Sequence, residues 1–263
     1  METSFLLHLP LNNLGFYTFI FGSTLAQYNL HYLIKKTALS GSIRFIWSSK
    51  NKKYHKALFI FGCILIFLSL FSFHITHFFA LGCMSAISLL YTLPILPFKN
   101  KKRIKDFGLL KIITLALLWT LVTVWFPLVE AHFETISFTL IFIRRFIFIF
   151  ILCLVFDIRD MQIDGSSKIK TLPIILGVKV SLLICYLMLL LFVIITSVDY
   201  YFFNDSVQFY CMILSALITW IFILFYNKKR NDFYYLAGID GMMLLQSVIV
   251  IAGETLFAQL LGK

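Results

Sequence analysis

Three aspartates, Asp157, Asp160 and Asp164, stand in the run FDIRDMQIDGSSKIKTLPIILG at the end of a strongly apolar stretch. On an α-helix, steps of three and seven residues turn through about 300° and 700°, so all three share one face. They would descend that face over about 10 Å, the length of a diphosphate with its metal ions. Carboxylates gathered in this way repel one another unless a cation sits among them. Mg2+ suits the arrangement, because it takes a few carboxylates together with phosphate oxygens and keeps several waters. Arg159, Lys168 and Lys170 are close enough in sequence to neutralise remaining phosphate charge. A solvated helix end with ordinary surface ion pairs accounts for the same spacing. Spacing alone leaves both readings open.

Other polar groups interrupt apolar runs elsewhere. Gln27, Asn29 and His31 fall near the end of the first run, where they read either as a functional group or as interhelical hydrogen bonding. Arg144 and Arg145 lie inside the fifth run, about 20 Å of helix from Asp157, and are expected to snorkel toward Glu130 or Glu134. Asp240, in GIDGMM, reads as a helix cap or as a group facing the aspartates. His74 and His77 have no third ligand nearby and read as an interfacial turn. The five cysteines fall within apolar runs without a Cys-x-x-Cys, and read as small packing residues.

The elements that must carry these groups follow from composition. The 263 residues are 60% hydrophobic and only 13% charged, with a mean hydropathy of +0.92, which excludes an ordinary soluble domain. Apolar runs long enough to cross about 30 Å of hydrocarbon lie near 11–33, 57–73, 77–96, 108–129, 138–157, 180–198, 209–226 and 240–260. The expected fold is therefore all-α: a polytopic helical bundle of eight transmembrane spans forming a single domain, 1–263. Lipid offers no partner to unpaired backbone groups, and the alternation of barrel strands is missing. No removable signal peptide is evident, since Glu2 is acidic and no basic segment precedes the first run.

The net charge of +11 is not a nucleic-acid signal, because 19 of the 23 Lys and Arg fall in loops on one side, 34–56, 97–107, 158–179 and 227–239. By the positive-inside rule that side is cytoplasmic and both termini face out, as in a bacterial-type inner membrane. The basic loops would also attract anionic lipid headgroups. The spans divide into two sets of four with the same rhythm of loops, the pattern of a parallel repeat around a central cavity.

The run FDIRDMQID followed by TLPIILG resembles the second aspartate-rich motif of the UbiA superfamily of intramembrane prenyltransferases. There an Asp-x-x-Asp-x-x-x-Asp run is followed by a Thr-Leu-Pro/Ala stretch ending in Leu-Gly, and the Arg-Asp-x-x-x-Asp form is nearest to members that prenylate naphthoate. Tyr91 and Lys99 stand where that family has a tyrosine and a lysine. Of the family's first motif, YNLHYLIKKT keeps only Asn29, with Leu30, Leu33 and Thr37 at the carboxylate positions and His31, Lys35 and Lys36 beside them. The resemblance implies nine spans with the motifs on the second and sixth. Here they fall on the first and fifth, as if the start lay upstream or the first helix had been lost.

The resemblance also implies a bundle around a cavity open to the cytoplasmic side, with Mg2+ as cofactor. It implies transfer of a prenyl group from a polyprenyl diphosphate to a small, quinone-precursor-like acceptor through an allylic cation. Asp157, Asp160 and Asp164 would be the catalytic metal ligands, while Asn29, Tyr91, Lys99, Arg159 and Lys170 would orient or neutralise the diphosphate. Such chemistry suits a dry pocket with pre-placed charge. Two rival expectations remain. The chain binds an isoprenoid or lipid diphosphate without turning it over, or it transports a small molecule through the repeat cavity.

Overall fold

The computed structural model describes residues 1–34, 47, 50–93, 104–166, 169–225 and 232–260. Within them the chain forms helices α1 (Glu2–Leu6), α2 (Leu14–Ile34), α3 (Lys52–Leu70), α4 (Ile75–Thr92), α5 (Gly108–Thr120), α6 (Thr135–Ser166), α7 (Leu172–Phe203), α8 (Ser206–Leu224) and α9 (Asp232–Leu260), with no strand among the described residues. Seven of these segments are long and apolar enough to cross a membrane. The remaining expected span is α2, also long at 21 residues. Gln27, Asn29 and His31 dilute its apolar character, so eight is an approximate count.

The helices divide into two compact units, Asn12–Ala86 and Met1–Leu11 with Ile87–Lys263. In the first, Asn13 starts α2 by accepting the Phe16 N–H through Oδ1 at 2.8 Å, which satisfies one of the donors a helix start leaves open. Helices α2 and α3 pack closely because both present glycine at the crossing. A Cβ on Gly62 would stand 2.8 Å from the Gly22 carbonyl oxygen, and small residues of this kind let backbones meet where lipid gives no hydrophobic drive.

In the second unit α6 is the central helix: 61% of its apolar window is buried, against 39% or less in every other span. Helices α5, α7 and α9 pack against it. Phe148 of α6 and Phe192 of α7, both fully buried, meet with ring centroids 5.8 Å apart. The turn between α7 and α8 is tight because Asn204 adopts a left-handed conformation (φ 51°) and Asp205 then caps α8, its Oδ1 accepting from Gln208 N–H at 3.0 Å.

Helix α5 ends through a π turn, Leu121–Trp125, and a short 3-10 segment, Phe126–Leu128. Pro127 has no N–H to give to the carbonyl four residues back. That carbonyl, on Thr123, accepts instead from the Thr3 hydroxyl at 2.6 Å. The short helix α1 is thus tied to the bundle by a backbone acceptor that a proline left open.

Arg144 and Arg145 do not reach toward Glu130 or Glu134. Both turn into the bundle and are almost fully buried. Arg144 Nη1 donates to Asp199 Oδ2 at 2.7 Å, and Arg145 pairs with Glu2 of α1 and donates to Gln246 Oε1 at 2.7 Å. Glu2 Oε2 accepts in turn from Ser247 Oγ at 2.6 Å. Snorkelling fails because these positions face protein rather than lipid, where a buried carboxylate is the better partner for a guanidinium. Asp240 lies well inside α9, which begins at Asp232, so it caps no helix start; its side chain is outside those described.

Candidate active site

The apolar stretch stops at Asp157, but α6 continues to Ser166. Charges do not end a helix whose backbone hydrogen bonds remain intact, and nothing between Asp157 and Asp164 breaks them. Both residues are buried, and both point at one ammonium group. Lys111 Nζ, one turn into α5, stands 2.8 Å from Asp157 Oδ1 and 2.7 Å from Asp164 Oδ2. One cation can bridge carboxylates seven residues apart only if they share a helix face, as the spacing required. Asp160 is more open and is held by its neighbour: Arg159 donates through Nε and Nη2 to its two oxygens at 2.7 and 2.9 Å. The same guanidinium lies over the Phe156 ring, 4.8 Å from its centroid, and near Tyr235 at 5.9 Å. Tyr91 of α4 lies within reach of the charges of Lys111, Asp157 and Asp164.

The segment after the aspartates explains why Lys111 arrives where it does. Ile169 N–H donates to the Asp164 carbonyl at 2.9 Å, folding the chain back over the end of α6. Thr171 then takes an extended N-cap conformation before α7, and Pro173 sits in the first turn, where its missing N–H costs nothing. Gly177, at φ 81°, breaks the helix after that one turn. Only glycine adopts this conformation without strain, which gives the Leu-Gly of TLPIILG a physical role. The folded-back loop lies against the start of α5: a Cβ on Gly108 would fall 1.7 Å from the Lys170 carbonyl oxygen. Glycine at 108 therefore lets α5 approach the loop, and Lys111 follows three residues later.

The remaining expected residues are placed as follows. Lys170 is exposed. Asn29 belongs to the other unit, where it is buried; its Nδ2 donates to the Leu25 carbonyl at 2.7 Å and its Oδ1 lies 2.7 Å from His55 Nδ1. His55 in turn stacks on Tyr32, with centroids 4.9 Å apart. Lys99 and Lys168 lie outside the described residues. Lys111, the residue that joins two of the three aspartates, was not anticipated. A lone lysine near the start of an apolar span reads as a snorkelling anchor, although an ionisable residue in such a span is a signal in its own right.

Whether these residues fit a magnesium ion is decided by their open valences. Asp157 Oδ2 is buried without a hydrogen-bond partner, and so is the Thr171 hydroxyl. A buried carboxylate oxygen left unmatched is costly in a protein interior and calls for a cation or a donor. Among the described residues, no three His, Cys, Asp or Glu side chains stand together as a ready-made metal cage. An ion held here would have to take part of its coordination from phosphate oxygens and water, as Mg2+ commonly does.

The sequence profile of the UbiA prenyltransferase family matches residues 50–234. Comparison with curated proteins gives no match. A UbiA homologue from Archaeoglobus fulgidus solved with GPP and Mg2+ is similar in fold, with a TM-score of 0.63 at 14% identity over 93% of this chain and 89% of that one. The DMAPP and Mg2+ structure of a UbiA homologue from the same organism gives 0.55 at 14% identity over 92% and 84%. A structure described for digeranylgeranylglyceryl phosphate synthase in membranes gives 0.58 at 14% identity over 97% and 89%. With seven apolar helices and a family match across most of its length, the chain is an integral multi-pass membrane protein that belongs to the UbiA prenyltransferase family.

Proposed function

We propose that the protein, acting as one transmembrane domain over 1–263, transfers a prenyl group from a polyprenyl diphosphate to a small aromatic acceptor of the quinone-precursor kind. The active side faces the cytoplasm. The observation that carries this reading is the buried, unmatched Asp157 Oδ2 on a face shared with Asp164. Binding of GPP and DMAPP with Mg2+ by the Archaeoglobus fulgidus homologues supports the same substrate class.

Asp157, Asp160 and Asp164 would hold Mg2+, which when bound would supply positive charge against the diphosphate. Arg159 and Lys170 would neutralise the outer phosphate oxygens as Arg and Lys commonly do. Tyr91 and Lys99 would orient the donor. In the reaction the bond between the prenyl C1 and the diphosphate oxygen breaks, and the diphosphate keeps the electron pair. An electron pair of the acceptor forms the new bond to C1, and the acceptor gives up a proton. Apolar residues of α6 beside Asp157 would keep out water, which would otherwise compete for the allylic cation.

The test is turnover by the purified protein with labelled polyprenyl diphosphates and a panel of acceptors. Mg2+-dependent product that falls about 100-fold or more in Asp157→Asn and in Asp160→Ala is expected. Unchanged turnover in both would remove the site. Binding without product across the whole panel would favour a non-catalytic isoprenoid-diphosphate binder. That alternative draws on Leu30 and Leu33, which stand where the family's first motif has carboxylates.

A further inference from the structure

We propose that Lys111 is the site's resident cation: without substrate, its ammonium fills the place between Asp157 and Asp164 that a divalent ion would otherwise take. Metal then enters only together with a diphosphate. The inference rests on the reading of this face as a metal–diphosphate site.

The carboxylates and cations of the site are nearly, but not fully, matched in charge. Lys111 Nζ spans Asp157 Oδ1 and Asp164 Oδ2 at 2.8 and 2.7 Å, while Arg159 takes both oxygens of Asp160. Three carboxylates face two cations, which leaves one unit of negative charge, and Asp157 Oδ2 is the buried oxygen left without a partner. A dication drawn by that single charge would leave the buried site positive, an unfavourable state away from water. A diphosphate arriving with the ion brings the negative charge that offsets this excess. It also gives Lys111 new acceptors, and a lysine can exchange them because its ammonium is a compact charge on a flexible stem. Fixed in place, Lys111 would exclude the metal. Able to turn from carboxylate to phosphate, it makes uptake of the ion conditional on the substrate.

The experiment is a Mn2+ titration of the protein in detergent by equilibrium dialysis, with and without inorganic diphosphate, read as the excess metal on the protein side so that Mn2+ held by free diphosphate is not counted. Wild type is expected to bind Mn2+ at least about tenfold more tightly with diphosphate than without it. Removing a unit charge roughly 5 Å from a dication changes affinity about tenfold or more even with water-like screening. Lys111→Met is therefore expected to bind Mn2+ alone at least about tenfold more tightly than wild type, while Lys111→Arg, which keeps the positive charge, shows no such gain. A gain in affinity is not what a merely damaged fold produces. Equal Mn2+ affinity in wild type with and without diphosphate overturns the proposal, whether or not the methionine variant folds. A folded Lys111→Met that binds Mn2+ no better than wild type overturns it as well. The titration contains no prenyl donor or acceptor, so failure of prenyl transfer and failure of this inference are separate results.

Discussion

Replacing Arg145 with methionine tests the buried polar network that ties α1 to the bundle. The Arg145 and Glu2 side chains are each 5% exposed, so solvent screening discounts their interaction little. Methionine strands the Glu2 carboxylate, which keeps only the Ser247 hydroxyl at 2.6 Å. It also removes the donor that Gln246 Oε1 receives at 2.7 Å. Breaking a buried pair from one side costs about 3–5 kcal/mol, and in a chain of this length that corresponds to a fall in Tm of roughly 10 °C. Adding Glu2→Gln removes the stranded charge, so the double variant should recover more than half of the loss. The measurement is thermal unfolding in one detergent, followed by circular dichroism, for both single variants and the double. Losses that simply add in the double variant would refute the argument, because uncoupled residues cannot be rescuing one another.

Gly177→Ala should lower stability by about 1–2 kcal/mol through backbone strain alone, since a Cβ there meets nothing within 4 Å; unfolding in detergent reads it, and an unchanged Tm would mean the corner can relax. Thr3→Val should cost about 1–3 kcal/mol by leaving the Thr123 carbonyl unmatched. The same substitution should cost less in a Pro127→Ala background, where a restored N–H can take that carbonyl, and a double-mutant cycle by thermal unfolding measures the difference.

The spans were legible because each apolar run is long enough to stand alone as evidence, and the helices cover them with shifts of a few residues at most boundaries. One of the largest shifts arises where polar residues continue a helix, from Asp157 to Ser166, since hydropathy reads lipid exposure and not backbone hydrogen bonding. The common face of Asp157 and Asp164 was legible from periodicity. Its partner was not, because Lys111 reaches it from another helix, and a spacing rule knows nothing of neighbours. The arginines fail in the same way: sequence offers nearby Glu130 and Glu134, while the fold supplies Glu2 and Asp199 from far along the chain.

The ties of α1 impose an order of assembly. Glu2 is bonded to Ser247, 245 residues away, and the Leu6 carbonyl to Gln208 Nε2, 202 residues away, at 2.8 Å. A chain threaded into the bilayer from its N-terminus cannot seat that first short helix until the final one has arrived. Glu2 can meet Arg145 midway through synthesis, but the network around them is complete only when α9 brings in Gln246 and Ser247, so the latch closes late.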